Sequence, residues 1–329
     1  MKTTFTKIAL SASIAVALVS PNAQAQEPIW DGNTVVLQSE KLNDNVFAVY
    51  PTNAAELGKK GGAAATSGGF IVGDKGVLMI ETMLNQRLNK QAQDLITAQT
   101  KKPIIYAVNT SAHGDHSYGN MYLPKGVKII QHANTSAYIG AHFKADTDFM
   151  LQNFGKGRGI EQIKPTPADI LVGTNSTVTI DLGNKKVDIM DFGFAQTGGD
   201  LMVWDAADKV MWTGNAIITN KPALPWLLDG HLIETLETFK KIYAFLPADA
   251  RIVPGHGVVM GREDIKWHID YLTTIKTQVA DAIAQGLTLE QTVEKVKMPE
   301  YRGYVLFDWV HPKLNVPAAY KDLTKPAVK

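Results

Sequence analysis

The feature that most limits the possible folds is an alternation of apolar segments between residues 77 and 108. Val77–Ile80 and Ile104–Val108 are continuous apolar runs, as expected of buried strands. Between them, five apolar residues share one face at helical spacing: Leu84, Leu88, Ala92, Leu95 and Ile96. A strand, a helix and a strand within about forty residues indicate an α/β protein, in which helices cover the faces of a sheet.

Three side chains that commonly bind metals come shortly after the second of these strands. His113, Asp115 and His116 lie within four residues, in a chain with only 8 histidines. A loop at a strand end is a place where a rigid scaffold can direct several side chains to one point. Imidazole and carboxylate groups are ligands of zinc and of ferrous iron. We therefore expect a metal site here, the alternative being a polar surface loop that happens to contain two histidines.

The first 25 residues have the features of a secretory signal peptide. Lys2 and Lys7 precede the apolar run Ile8–Val19, which is too short to span a bilayer as a mature helix. Residues 23–25 read Ala-Gln-Ala, a small-x-small cleavage pattern. We expect cleavage after Ala25 and a periplasmic or secreted mature protein, without a membrane anchor because no second apolar run follows.

Charge and cysteine content exclude several classes of function. Of the 33 Lys and Arg residues, two lie in the signal peptide, which leaves 31 against 32 Asp and Glu. This balance provides no basic surface for nucleic acid or for an anionic membrane. With no cysteine, the chain has no disulfide, no thiolate ligand for zinc and no thiol nucleophile. A small-molecule substrate is the expected partner, and the oligomeric state is left open.

The remaining chain predicts one domain over residues 26–329, ending in a helical tail from about residue 287. Both halves mix strands with helices, which suits a layered sandwich. Thr288 and Gln291 form the capping-box pattern of a short helix. Residues 146–168 show no clean periodicity and contain three glycines and two prolines, which predicts a long loop.

A second candidate ligand follows the predicted strand Arg251–Val253. His256 lies between Gly255 and Gly257, where the backbone can approach an ion closely. Alone, this pattern is more typical of a histidine in a turn. Together with the loop at 113–116, it suggests that two distant parts of the chain share one ion.

The sequence resembles the metallo-β-lactamase superfamily over nearly the whole mature chain. The resemblance rests on the loop at 113–116, Thr-Gly-Gly-Asp-Leu at 197–201, Thr-Gly-Asn at 213–215 and Pro-Gly-His-Gly at 254–257. The tail over 299–317 is similar to an exported branch of quinoprotein-relay and sulfur-oxidation-associated hydrolases. The resemblance implies an α/β fold of the αβ/βα type, a four-layer sandwich with metals at one edge.

The chain departs from the ligand pattern of that family at three positions. Ser111 and Gln196 stand where the family has two histidines, and Asn215 stands where it has the bridging aspartate. The first family site would therefore contain one imidazole, from His113, and we expect it to be empty or weak because hydroxyl and amide oxygens are poor zinc donors. The acidic position of the family's Asp-Thr-Gly turn is Glu81.

The second family site is better preserved, since it keeps Asp115, His116 and His256 and loses only the bridge. Two imidazoles, one carboxylate and an open position are a working composition for catalytic zinc, and equally for ferrous iron. The resemblance thus implies one divalent ion, zinc or iron, with His113 as a further candidate ligand. Asp115 and Asn215 are the candidate catalytic residues. The Asn215 amide could offer an oxygen to the ion or hold a water molecule.

The substrate and the reaction follow less directly. Lys221 and Trp226 lie in the loop after Asn215, where the superfamily frames its substrate, and would suit a molecule with an apolar part and a carboxylate. The expected function is an exported, mononuclear metal-dependent hydrolase acting on an amide, lactone or thioester carbonyl. The alternatives are a catalytically inactive periplasmic binding or accessory protein and, on the same ligands, an iron-dependent redox role.

Overall fold

The structure, a computed structural model, describes residues 32–59, 66–154, 158–228 and 230–325. The predicted signal peptide lies outside the described residues. Within the described ranges, no helix has the length and apolar character needed to cross a membrane.

The first sheet has seven strands in sequential order. Its strands pair antiparallel from the first to the fourth and parallel from the fourth to the seventh. The strands are β1 (Leu37–Asn43), β2 (Val46–Pro51), β3 (Gly68–Val72), β4 (Val77–Ile80), β5 (Ile104–Val108), β6 (Lys128–His132) and β7 (Ile170–Val172).

The second sheet has six strands, in the order β13-β12-β11-β10-β9-β8. Its strands are β8 (Thr177–Asp181), β9 (Lys186–Met190), β10 (Met202–Asp205), β11 (Val210–Gly214), β12 (Arg251–Pro254) and β13 (Met260–Gly261). Only the β11–β12 pair is parallel among the described pairs.

Helices follow or connect these strands in both halves. The longer ones are α2 (Gln86–Gln99), α4 (Ala133–Phe154), α5 (Leu232–Phe245) and α6 (Ile265–Ala284). The shorter ones are α1 (Ala54–Lys59), α3 (Gly114–Ser117), α7 (Leu289–Lys295), α8 (Phe307–Trp309) and α9 (Val316–Thr324). Single turns at Tyr118–Tyr122, Arg262–Asp264 and Pro299–Tyr301, and a π-helical segment at Val310–Asn315, complete the described helical structure.

Three apolar clusters show how the layers pack. The central cluster joins the inner faces of both sheets, with Ile71 and Leu78 from the first and Ile189 and Val203 from the second. A second cluster packs α2 against the first sheet, and a third packs α5, α6 and the tail against the second. The result is helix, sheet, sheet, helix, which confirms the predicted α/β four-layer sandwich.

Trp212 of the second sheet forms a buried hydrogen bond to the first sheet. It is 1 % exposed, and its Nε1 donates to the carbonyl of Gly68 at 3.0 Å. A Cβ atom at Gly69 would lie 2.5 Å from this nitrogen and 2.3 Å from the carbonyl oxygen of Phe47. The absence of a side chain at Gly69 therefore allows the indole to enter the inter-sheet layer.

Two predictions about local structure have different outcomes. The capping box of Thr288 and Gln291 is confirmed at the start of α7. The loop predicted over 146–168 is wrong for residues 146–154, which continue α4. Among residues 133–152, only Thr135 is buried, and the partly buried Phe143, Met150 and Leu151 that pack against the cluster around α2 form too weak an apolar face to indicate the length of the helix.

Candidate metal centre

The candidate centre lies where the parallel strands of both sheets end. In the first sheet, Ile80 of β4 pairs with Val108 of β5. In the second, Gly214 of β11 pairs with Pro254 of β12. Because parallel neighbours end at the same edge of a sheet, the residues that follow these four strands are brought together.

The structure brings Asp115, His116 and His256 to one point. Their ligand atoms all lie within 4.8 Å of one another, and all three residues are buried. Oδ2 of Asp115 lies 3.3 Å from Nε2 of His116 and 3.4 Å from Nε2 of His256. Asp115 and His116 belong to the single turn α3, which follows β5 closely, whereas His256 follows β12.

Thr66 also contacts the oxygen of Asp115 that faces the two histidines. The Thr66 hydroxyl donates to Oδ2 at 2.7 Å. Burial alone would raise the pKa of Asp115, but nearby His116 and His256, with smaller contributions from His113 and Thr66, lower it below its ordinary value. Asp115 is therefore an anion at neutral pH, as a metal ligand must be.

His116 lies between two buried carboxylates. Its Nδ1 is 3.1 Å from Oε1 of Glu81, which is 1 % exposed, while its Nε2 faces Asp115. Burial opposes the charged imidazole, yet the charges of Asp115 and Glu81 outweigh it and raise the pKa of His116 to about 9. In the metal-free protein the ring is therefore protonated at neutral pH.

Several buried groups fix the positions of Glu81 and His116. Glu81 has a left-handed backbone (φ 64°) and accepts a hydrogen bond from the hydroxyl of Thr110. The His116 carbonyl accepts from the Thr82 amide at 3.0 Å and from Nδ2 of Asn109 at 2.9 Å. This arrangement holds one ring nitrogen on Glu81 and directs the other towards Asp115 and His256.

The donor set fits a divalent metal ion. One carboxylate and two imidazole nitrogens converge, and one imidazole has a carboxylate on its outer nitrogen, an arrangement that orients histidine ligands in metal sites. Nε2 of His116 and Nε2 of His256 both face Oδ2 of Asp115, as expected if the three side chains bind one cation.

His113 is not brought into this group in the described part of the chain. Its Nδ1 instead lies 3.0 Å from Nδ2 of Asn215. Oδ1 of Asn215 is buried, and a Cβ atom at Gly255 would come within 2.4 Å of it. The residue at the family's bridging position thus contacts a histidine, and its oxygen points into a tightly packed site beside the ligands.

The other two altered positions remain close to the site loops but do not offer strong ligands. Ser111 is fully buried, and its Oγ accepts from the His113 amide at 3.4 Å. Gln196 is 3 % exposed, and its Oε1 has no hydrogen-bond partner among the described residues. A hydroxyl and an amide remain weak zinc donors wherever they lie, so the expectation of a weak first site stands as a prediction.

The sequence did not identify two acidic groups near the ligands as functional. Glu81 was recognised only as a departure from the family turn, and its contact with His116 depends on the pairing of β4 with β5. Asp200 accepts hydrogen bonds from the Thr197 amide at 2.6 Å and from the Thr197 hydroxyl at 3.0 Å. Burial nevertheless raises the pKa of Asp200 to about 7. The sequence signal that could have identified Glu81 is its position directly after the apolar strand Val77–Ile80.

A cavity of about 290 Å³ opens beside the centre, with His113 in its wall. Asp115, His116 and His256 are not among its lining residues. Lys221 and Trp226, predicted to frame the substrate, do not line this cavity either, as far as the described residues show. Lys221 is exposed, and Trp226 packs edge to face on Trp309 of the tail at 5.3 Å.

Comparisons with known proteins agree with this geometry. The family model of the metallo-beta-lactamase superfamily matches residues 61–256, more than half of the chain, and the protein therefore belongs to that superfamily. It is 22% identical over 284 residues to a metallo-beta-lactamase type 2 of Bacillus cereus, covering 83% of this chain and 100% of that one. A corresponding protein of Elizabethkingia meningoseptica is 23% identical over 246 residues, or 74% of this chain and 85% of that protein.

Solved structures share the fold at lower identity. FIM-1 from Pseudomonas aeruginosa, in its mono-zinc form, aligns with a TM-score of 0.56 and 18% identity over 73% of this chain and 96% of that one. A metallo-beta-lactamase from Pontibacter korlensis aligns with a TM-score of 0.55 and 18% identity over 72% of this chain and 99% of that one. At these identities the likeness shows the fold and leaves the substrate open.

Proposed function

We propose that this protein is an exported hydrolase that uses one divalent metal ion, bound by Asp115, His116 and His256. The observation that carries the proposal is the convergence of these buried side chains, whose ligand atoms lie within 4.8 Å of one another after strands β5 and β12. When bound there, zinc would act as a Lewis acid towards a carbonyl oxygen and make water more acidic. The proposed substrate is a small molecule with an amide, lactone or thioester carbonyl.

The protein's own residues have distinct roles in this proposal. Thr66 and Glu81 hold Asp115 and His116 in the orientation that binds the ion. Asn215 fixes the His113 ring at the boundary between the centre and the cavity. In this proposal, Asn215 and His113 orient a water molecule or a substrate carbonyl oxygen next to the ion. The buried surroundings of the site limit the access of bulk water.

Zinc-dependent hydrolysis is the direct test. Chelator-treated protein, with and without added zinc, is assayed against a panel of amides, lactones, thioesters and activated esters. We expect zinc to restore hydrolysis, and Asp115→Asn to reduce it by at least about a hundredfold, because the neutral amide is a weak ligand and no longer balances His116.

The matched control is Asp169→Asn, an identical chemical change at a surface carboxylate that pairs with Lys128 at 2.8 Å. This variant is expected to keep wild-type rates. Zinc binding without hydrolysis of any carbonyl class would contradict the proposal and favour a binding or accessory protein.

A further inference from the structure

The cavity beside His113 has a wall without acidic or strongly basic side chains. Its apolar contacts come from Ala112, Tyr138 and Leu228, and its polar side chains from Asn134, Thr135 and Thr197 besides His113. Within the described ranges, no Lys, Arg, Asp or Glu lines it. A ligand carboxylate placed against the apolar part of this wall would lose hydration without gaining a Lys or Arg partner among the described residues, and the His113 ring already contacts Asn215.

The polar groups of the wall are already engaged with the protein. Nδ2 of Asn134 donates to Gly198 O at 2.7 Å, and the Thr135 hydroxyl donates to Gly199 O at 2.7 Å. The hydroxyl of Thr197 donates to Asp200 at 3.0 Å, and that of Tyr138 donates to Asp146 at 3.2 Å. With these donors in use, the wall offers a ligand mainly apolar contact.

Leu228 is held in position by the tail of the chain. Asn315, which is fully buried, accepts from the Leu227 amide at 3.0 Å and donates to Pro225 O at 2.7 Å. These two hydrogen bonds fix the backbone at Pro225 and at Leu227, the residue before Leu228. The backbone that leads to Leu228 is therefore fixed by the tail, which reduces the ordering cost of binding at this part of the rim.

We propose that this cavity binds an uncharged, apolar arm of the substrate, so that the protein selects neutral esters, lactones or thioesters over equivalents that carry a carboxylate on that arm. The selectivity rests on the proposed hydrolase function, whereas binding of the arm does not. The expectation that Lys221 pairs with a carboxylate elsewhere on the substrate stays a prediction.

The test compares two esters that differ only at the end of the acyl chain: p-nitrophenyl hexanoate and the mono-p-nitrophenyl ester of hexanedioic acid. For the zinc-loaded wild type we expect kcat/KM to favour the neutral ester by at least about tenfold. Leu228→Lys should reduce this ratio by about fivefold, the effect of a new partly exposed ion pair. Ile233→Lys is the control, because Ile233 is similarly exposed (39 % against 36 %) and does not line the cavity.

Zinc-dependent hydrolysis that treats both esters alike, or an equal change in Leu228→Lys and Ile233→Lys, would overturn the inference. A second readout is independent of turnover: ligand-observed NMR of the metal-free protein with methyl hexanoate and with monomethyl hexanedioate. Preferential binding of the neutral ester to the wild type, lost in Leu228→Lys, would support the cavity assignment even if no hydrolysis is found. Equal binding of both esters would refute it.

Discussion

Replacing His116 by alanine in the metal-free protein should lower the free energy of unfolding by about 3–5 kcal/mol at pH 7. The His116 ring is fully buried between Asp115 and Glu81, 3.3 Å and 3.1 Å from their oxygens. Without the imidazole, the buried carboxylate of Glu81 loses its histidine partner, and Asp115 keeps only one of the two histidines that face it. Denaturant unfolding in the presence of a chelator measures the difference.

A double-mutant cycle separates the lost charge balance from the lost packing. Glu81→Gln removes one of the two carboxylates at nearly constant volume, so it should recover part of the stability that His116→Ala loses. His268→Ala is a further control, since His268 is equally buried, and burial lowers its pKa to about 4, so that it is neutral at pH 7. A zero coupling energy between Glu81 and His116 would contradict the charged-pair interpretation.

Raising the pH from 7 to 9 should destabilise the metal-free wild type by about 2 kcal/mol. The pKa of His116 rises from 6.5 to about 9 on folding, so its protonation stabilises the folded protein. This contribution is complete below about pH 6.5 and is lost as the pH rises through about 9. The raised pKa of Asp200, about 7, acts in the same direction but mostly below pH 7.

Zinc should largely remove this dependence. Binding requires the neutral His116 ring and therefore releases a proton, so the zinc affinity should increase as the pH rises towards 9. Unfolding curves at pH 7 and pH 9, with chelator and with zinc, provide the measurement, and His116→Ala should flatten the metal-free dependence. A metal-free protein that is equally stable at both pH values would show that His116 is not protonated in the folded state.

Much of the fold followed from the sequence because the buried strands are continuous apolar runs. Val77–Ile80 and Ile104–Val108 were predicted with their bounds as the structure has them. The length of α4 was not predictable in the same way, because its few partly buried apolar residues, Phe143, Met150 and Leu151, give only a weak periodic signal. Local sequence patterns thus predict the strands and helices that are well buried in the core better than those that are mostly exposed.

The site was predictable in its ligands but less so in its supporting contacts. The grouping of Asp115, His116 and His256 was predicted from a family pattern, and the structure brings them together. The partners Thr66 and Glu81 depend on strand register and on contacts between distant segments, which a single sequence does not specify. The position of Trp226 depends likewise on packing against Trp309, far along the chain.

Zinc content per chain tests the central claim most directly. Purified protein is stripped with chelator, equilibrated with excess zinc, passed over a desalting column and analysed by mass spectrometry for metal and by amino-acid analysis for protein. We expect about one zinc ion per chain, none in His256→Ala, and a value approaching two when Ser111→His, Gln196→His and Asn215→Asp are combined. A wild type that retains no zinc, or one zinc that persists in His256→Ala, would contradict the assignment of Asp115, His116 and His256 as the metal site.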